Sequence, residues 1–195
     1  MAKYKDFLEE INVVLPGVAR PIVTPAIERV VREFCESSKI WRTDITLDID
    51  NAMSKAPIDL TTLARKDIAG KEAELVDVVT LRVDDEALPY NAFERIARKG
   101  FVFTQRSPRV GQYTITVSLT PERGACDIPD FLIDDWAVDI AYGVAYRLAM
   151  QPNQRWSNPQ IAQEYKRLYI QGKNRAMFEA NNQRQSMRDG KYTFY

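Results

Sequence analysis

The chain has 195 residues, of which 45% are hydrophobic and 28% charged, and its 27 basic and 27 acidic residues cancel to a net charge of zero. The sequence contains no histidine, which excludes Ser-His and Cys-His nucleophile pairs and every imidazole-ligated metal site. Two cysteines cannot build a disulfide scaffold or a four-thiolate zinc site, and balanced charge argues against a generic nucleic-acid binder. The composition indicates a soluble globular protein that is not an enzyme.

The first part of the chain carries helical signals. Residues 6–14 favour a short helix, and the prolines and glycine that follow indicate a break after it. Thr24 as N-cap and Pro25 at the first helical position then predict a helix over about 24–38. Its apolar residues recur at helical spacing, which predicts one buried face.

The middle of the chain carries strand signals. Apolar and polar residues alternate over 40–49, which is typical of a half-buried strand. Further β-branched or aromatic runs at 74–83, 101–104 and 113–119 also predict strands. Residues 91–99 are expected to form a helix or a long loop that Gly100 ends. We therefore predict a small antiparallel β unit over about 41–120.

Two more helices are predicted after the β unit. A strongly apolar pattern favours a helix over about 130–150, and a second begins at Pro159 and continues to 181. Residues 182–195 are polar and without period, which indicates a flexible, extended tail. The predicted fold class is α+β, mainly α: a small helical bundle with an inserted antiparallel β unit. Residues 1–181 are predicted to form a single domain.

No standard catalytic pattern is present in the sequence. It has no phosphate-binding glycine loop, no nucleophile elbow and no carboxylate pair with a spacing that favours catalysis. We therefore predict no catalytic, cofactor-binding or metal-binding residues. Cys35 and Cys126 are expected to be small buried apolar residues. No apolar run approaches the ~20 residues of a membrane span, so no membrane partner is expected.

The zero net charge conceals two segments of opposite sign. Residues 1–150 hold 19 basic and 24 acidic residues, whereas residues 151–195 hold 8 basic and 3 acidic residues. The body therefore carries a net charge of −5 and the C-terminal segment +5. Such asymmetry favours a partner for the basic segment, although a solvated basic helix and tail would give the same counts.

The C-terminal segment supplies the candidate binding residues. A polar, basic tail with aromatic anchors is typical of a segment that orders on a partner, although a terminus without a role remains the alternative. Tyr165 and Tyr169 fall on the apolar stripe of the last helix, which favours core or inter-subunit packing, and Trp156 is either a core plug or an inter-subunit contact. The candidate partner-binding residues of the tail are Arg184, Arg188, Lys191, Tyr192, Phe194 and Tyr195.

Two blocks of the sequence resemble a known family. The first runs from Val14-Leu15-Pro16-Gly17 through Glu33-Phe34-Cys35 to Trp41. The second begins at Ile128-Pro129, passes Trp136 and Arg147-Leu148, and ends in Trp156-Ser157-Asn158-Pro159. Together they resemble the head–tail adaptor (connector) subunits of tailed bacteriophages. The resemblance spans most of the chain, is loose in the β region, and rests on structural rather than catalytic motifs.

The resemblance implies a structural virion protein. Such adaptors form a ring, expected here to be a dodecamer, that docks on the portal protein and joins it to a downstream tail or nozzle protein. DNA passes through the ring without specific binding, and assembly takes place in the host cytoplasm. By this analogy residues 182–195 dock on the portal. The alternatives are another ring component of the neck or tail (a tail-completion protein), a nucleic-acid-binding module that uses 151–195, and a carboxylate hydrolase.

Overall fold

The computed structural model describes residues 2–50, 56–62, 72–84, 86–104 and 110–188, with side chains of the last helix described as far as residue 182. The chain divides into two compact units. The helical unit comprises Met1–Ser38 and Pro121–Asn181, and the sheet unit is built on Lys39–Thr120. The predicted boundary between a domain over 1–181 and a tail over 182–195 stays a prediction.

Five α-helices lie in the segments of the helical unit and its C-terminal continuation that the structure describes, after a 3-10 turn at Tyr4–Phe7. They are α1 (Leu8–Val14), α2 (Arg20–Ser38), α3 (Phe131–Asp134), α4 (Ala137–Ala149) and α5 (Pro159–Arg188).

The core of the helical unit forms where α2 meets α4 and α5. The buried side chains of α2 follow helical spacing, and Val30, Val31 and Phe34 are completely buried. The Phe34 ring lies 5.5 Å from Trp136 and 6.4 Å from Tyr169, measured between ring centroids. Ile140, Ala141, Val144, Ala145 and Leu148 form the apolar stripe of α4, which is also buried. Helix α2 therefore shares one apolar core with α4 and α5, which lie about a hundred residues later in the chain.

The described part of the sheet unit contains two antiparallel sheets. The strands are β1 (Arg42–Ile49), β2 (Ile58–Asp59), β3 (Ala73–Val83), β4 (Glu86–Ala87), β5 (Phe93–Ile96), β6 (Gly100–Phe103) and β7 (Gly111–Pro121). One sheet has the order β1-β7-β3-β4 and the other the order β2-β6-β5. In the first, β1 pairs with β7 along its whole length, from Arg42 opposite Ser118 to Ile49 opposite Gly111.

An aromatic chain fills the core of the sheet unit. Phe101 is completely buried, and its ring meets Phe93 and Phe103 edge-on at 5.9 and 5.2 Å. Phe103 in turn packs edge-on against Tyr113 of β7 at 5.7 Å. Because Phe103 and Tyr113 belong to different sheets, this contact joins the two sheets through aromatic packing.

The prediction of a mainly helical bundle with a small β insertion is wrong. The protein is α+β, with about 47% helix and 27% strand and with antiparallel sheets of four and three strands in the described residues. Residues 93–96 form strand β5, not the helix or long loop expected over 91–99. Phe93 and Ile96 pair with Phe103 and Gly100 of β6, so cross-strand pairing outweighs the weak local helix signal.

The predicted helix bounds also need correction. The helix predicted over 24–38 begins at Arg20 and accommodates Pro25 inside it, where proline has no N–H to donate to the carbonyl four residues earlier. The helix predicted over 130–150 is divided into α3 and α4, because the backbone at Trp136 leaves helical geometry while its side chain packs in the core. The last helix continues to Arg188, so the flexible tail predicted from residue 182 begins helically.

Candidate functional site

One carboxylate links the three long helices of the helical unit. Glu33 of α2 accepts hydrogen bonds from Arg147 of α4 and from Lys173 of α5, the latter at 3.0 Å between Nζ and Oε1. Burial raises the pKa of Glu33, but the hydrogen bonds and charges of Lys173 and Arg147 outweigh it, so the pKa lies below the ordinary value. Glu33 is therefore held ionised between two cations, and the three side chains together keep one positive charge.

A second ion pair connects α4 to α5. Arg175 donates a hydrogen bond to Asp139 at 2.6 Å, and its guanidinium also lies 5.0 Å from the Trp136 ring centroid. Burial raises the pKa of Asp139, and the charge of Arg175 only partly offsets that rise. The Asp139 carboxylate is therefore less favourable in the folded protein than in water.

Two glycines allow the helices to approach closely. A Cβ atom at Gly143 of α4 would lie 2.7 Å from Val30 Cγ1 and 2.8 Å from the Tyr169 ring. A Cβ atom at Gly172 of α5 would overlap the Asp139 side chain. Close backbone packing at these two glycines fixes α5 against α2 and α4, and thereby fixes the surface that α5 presents.

A groove of about 620 Å³ lies beside this junction, between α2, the end of α4 and α5. Its apolar side chains include Ile22, Met150 and Ile170, which are 39%, 43% and 42% exposed. Four basic residues and one acidic residue line it: Arg29, Arg147, Lys166, Lys173 and Glu33. We call this surface the basic groove. Its apolar edges and excess of positive charge suit an acidic partner with apolar side chains.

The pairing of its charges decides which of them can bind a partner. Arg147 and Lys173 are engaged by Glu33. Lys166 lies 5.6 Å from the Tyr146 ring centroid, and neither Lys166 nor Arg29 forms an ion pair with a described residue. These two cations are therefore the ones available for an incoming anion.

Helix α5 also exposes apolar side chains beyond the groove. Met177 is 45% exposed and Phe178 is 68% exposed. Met177 follows Ile170 by seven residues, so the two share one face of the helix. This strip continues the apolar edge of the groove toward the C-terminal end of α5.

The predicted tyrosines lie within the helical unit. Tyr169 is buried, its hydroxyl donates to the Val30 carbonyl at 3.4 Å, and burial raises its pKa. Tyr165 is half-buried, stacks on Tyr142, and donates a hydrogen bond to the Val14 carbonyl of α1 at 2.8 Å. Trp156 is half-buried, and its indole N–H is buried without an acceptor among the described residues.

The candidate residues of the tail cannot be placed in the same way. Arg184 and Arg188 lie on α5 beyond the part with described side chains. Lys191, Tyr192, Phe194 and Tyr195 lie outside the described residues. Of the cysteines, Cys35 is buried as predicted and burial raises its pKa to about 12, whereas Cys126 is exposed, contrary to the prediction, because it lies in the turn after β7.

The residues that organise the site did not stand out in the sequence. Glu33 lies on α2 next to the buried apolar stripe. A charged residue at the edge of such a stripe is a signal that could have identified Glu33 as a candidate for an ion pair between helices. The partners of Glu33 are 114 and 140 residues away along the chain. Spacing within one helix could not have paired them.

Opposite pH dependences are expected for Glu33→Gln and Asp139→Asn. The stability contributed by ionised Glu33 is present above its unfolded pKa and lost as the pH falls through its lower folded pKa. The advantage of the wild type over Glu33→Gln, about 1 kcal/mol for a partly exposed ion pair, should therefore shrink between about pH 5 and about pH 3. Protonation of Asp139 favours folding. The free energy of unfolding of the wild type should therefore rise relative to that of Asp139→Asn as the pH falls from about 6 to about 4.

Urea unfolding of the wild type, Glu33→Gln and Asp139→Asn between about pH 3 and about pH 6 measures how each variant differs from the wild type in free energy of unfolding. Parallel pH profiles for the two variants would contradict the assignment of opposite pKa shifts to Glu33 and Asp139.

Among the described residues, no group of three or more cysteine, aspartate or glutamate side chains is arranged to hold a metal ion. None of the described helices combines the length and apolar character that a membrane crossing requires. No protein-family model matches the chain, and no curated protein matches it significantly.

Proposed function

We propose that the protein is a non-catalytic assembly subunit, and more particularly a head-to-tail adaptor of a tailed bacteriophage. Copies would form a ring that docks on the portal protein and joins it to the tail, with DNA passing through the centre. The observation that carries the proposal is the surface of α5. This helix is fixed to α2 and α4 by ion pairs and glycine contacts, yet it exposes Ile170, Met177 and Phe178.

Exposed apolar side chains on a firmly anchored helix favour a protein partner. The two sequence blocks that resemble adaptor subunits support the more particular part of the proposal, and they include Phe34, Trp136 and Arg147 of the helical core. The portal-binding role of residues 182–195 follows from that resemblance and from the tail's basic and aromatic composition.

The pairing of charges makes the nucleic-acid alternative weaker. Phosphate binding needs available cations, but three of the described basic residues of the C-terminal segment are engaged within the chain. Arg167 pairs with Glu164, Lys173 with Glu33 and Arg175 with Asp139. A structural ring component of another position in the neck or tail remains the second candidate, because the same α5 surface would serve it.

Truncation after Asn182 is expected to abolish association with the portal protein encoded in the same genome while leaving a folded protein. The helical core described above lies before this point, so circular dichroism and the melting temperature should change little. A full-length variant with Tyr192, Phe194 and Tyr195 replaced by alanine should lose most of the association as well, because aromatic anchors dominate interfaces of this kind. Co-sedimentation with purified portal measures both.

The matched control replaces the exposed Val110 of the sheet unit by alanine and should bind as the wild type does. Portal binding that survives the truncation would contradict the role assigned to the tail. Failure of the full-length protein to bind any portal preparation would contradict the adaptor function.

A further inference from the structure

The basic groove has unused binding capacity of two kinds. Arg29 and Lys166 carry charges that no described acidic residue neutralises, and Ile22, Met150 and Ile170 leave part of their apolar surface open. A matching occupant would present carboxylates next to an apolar side chain on a short, regular element.

Helix α1 presents such a surface. Val13 is 80% exposed, the largest value among the exposed large hydrophobic residues of the described chain. Glu9 lies four residues before it on the same face, and Glu10 follows Glu9. Neither glutamate forms an ion pair with a described residue. We call Glu9, Glu10 and Val13 the acidic face of α1.

The groove and the acidic face belong to different surfaces of one copy. The groove is lined by residues of α2, the end of α4 with its following turn, and α5, and α1 contributes none of them. One copy therefore carries two complementary surfaces at different positions. Surfaces of this kind join copies head to tail, and such contacts form rings when the rotation closes.

We propose that the basic groove of one copy binds the acidic face of α1 of a second copy. Glu9 and Glu10 meet Arg29 and Lys166, and Val13 lies against Ile22, Met150 and Ile170. The proposal deepens the proposed function, on which its ring geometry rests, by naming the surfaces through which copies join.

A second copy fits the groove better than the other occupants available. A nucleic-acid backbone would use the two available cations but leave the apolar edges exposed to water. Another acidic surface of the helical unit, Asp134 and Asp135 of α3 and its C-cap, adjoins Val138, which is only 46% exposed and lies beyond the helix break at Trp136. The acidic face of α1 offers a more exposed apolar side chain than this surface does, since Val13 is 80% exposed, and its three residues lie on one unbroken helix.

Disulfide trapping between two differently substituted populations tests the contact. Both carry Cys126→Ser, which removes the exposed native thiol, while Cys35 is buried. One population carries Val13→Cys and the other Ile170→Cys, so any mixed disulfide joins two copies. We expect at least about ten times more mixed dimer than from Val13→Cys with Val110→Cys, a matched pair with an exposed position of the sheet unit.

Charge reversal supplies the second measurement. Arg29→Glu with Lys166→Glu in the Ile170→Cys chain should bring the mixed dimer down to the control level. Adding Glu9→Lys with Glu10→Lys to the Val13→Cys chain should restore it. The matched control Arg123→Glu, an exposed arginine outside the groove, should change nothing. Equal trapping with Val110→Cys, or trapping that ignores the charge reversals, would overturn the proposal.

The failure of this contact and that of the adaptor function can be told apart. Rings on the portal without enriched disulfide trapping would overturn the groove contact and leave the adaptor function standing. Enriched trapping without association with the portal would overturn the adaptor function and leave the groove contact standing. A fluorescent oligonucleotide whose binding is lost in Arg29→Glu/Lys166→Glu, together with no enriched trapping, would assign the groove to nucleic acid and overturn the contact between copies.

Discussion

Replacing Phe34 by alanine is expected to lower the free energy of unfolding by about 3–5 kcal/mol, the usual cost of removing a buried phenylalanine ring. The side chain is completely buried and lies between the rings of Trp136 and Tyr169. Those partners come from the turn before α4 and from α5, so the cavity would open where the three long helices meet. Little collapse is available there, because the glycine contacts already hold the helices together.

The matched control for Phe34→Ala is Phe178→Ala. Phe178 is 68% exposed, so the same change of residue type should alter stability by no more than about 0.5 kcal/mol. Urea unfolding followed by circular dichroism and by tryptophan fluorescence measures both variants. Equal losses for the two would show that Phe34 does not lie at the junction described here.

Gly143→Ala is the second change with a large expected effect. Alanine in a helix interior would normally gain about 1 kcal/mol over glycine. Here the added Cβ would lie 2.7 Å from Val30 Cγ1 and 2.8 Å from the Tyr169 ring. Val30 is β-branched and completely buried, and Tyr169 is 3% exposed, so neither can move away cheaply. Overpacking of about 1–3 kcal/mol should therefore outweigh the helix gain and destabilise the protein.

A double-mutant cycle makes the cause of this loss measurable. Val30→Ala removes the methyl group that the new Cβ would meet, so the double variant Val30→Ala/Gly143→Ala should be less destabilised than the sum of the two single variants. A coupling of at least about 0.5 kcal/mol is expected for residues in contact. Strict additivity would contradict the close approach of α2 and α4 at Gly143.

Local sequence patterns predicted helices where the apolar period was long and regular. The stripe from Ile27 to Phe34 and the stripe from Ile140 to Leu148 both lie on helices with buried apolar faces. The division of the region 130–150 was not predictable locally, because Trp136 leaves the helix in order to pack against Phe34, a residue about a hundred positions earlier. Tertiary packing decided that boundary.

The sheets were underestimated for a related reason. Residues 93–96 have mixed propensity, and their pairing with β6 decides their conformation. Patterning alone described the region as a small insertion, because it identifies individual strands but not how they distribute between two sheets. The aromatic contact between Phe103 and Tyr113 that joins those sheets depends on residues from separate strands.

The charge distribution acquires a more specific meaning from the structure. The sequence divides into a body of net charge −5 and a C-terminal segment of +5. Part of that positive charge is used inside the helical unit, by Lys173 on Glu33 and Arg175 on Asp139. Lys166 of the C-terminal segment and Arg29 of the body remain available in the basic groove, where we propose that the acidic face of a second copy binds.

Electron microscopy of the protein mixed with the portal protein of the same genome tests the proposed adaptor function. We expect a ring of copies coaxial with the portal, with adjacent copies joined through α1 and the basic groove and with an open channel for DNA. Portal particles that stay bare at protein concentrations well above those of the portal would contradict the adaptor function.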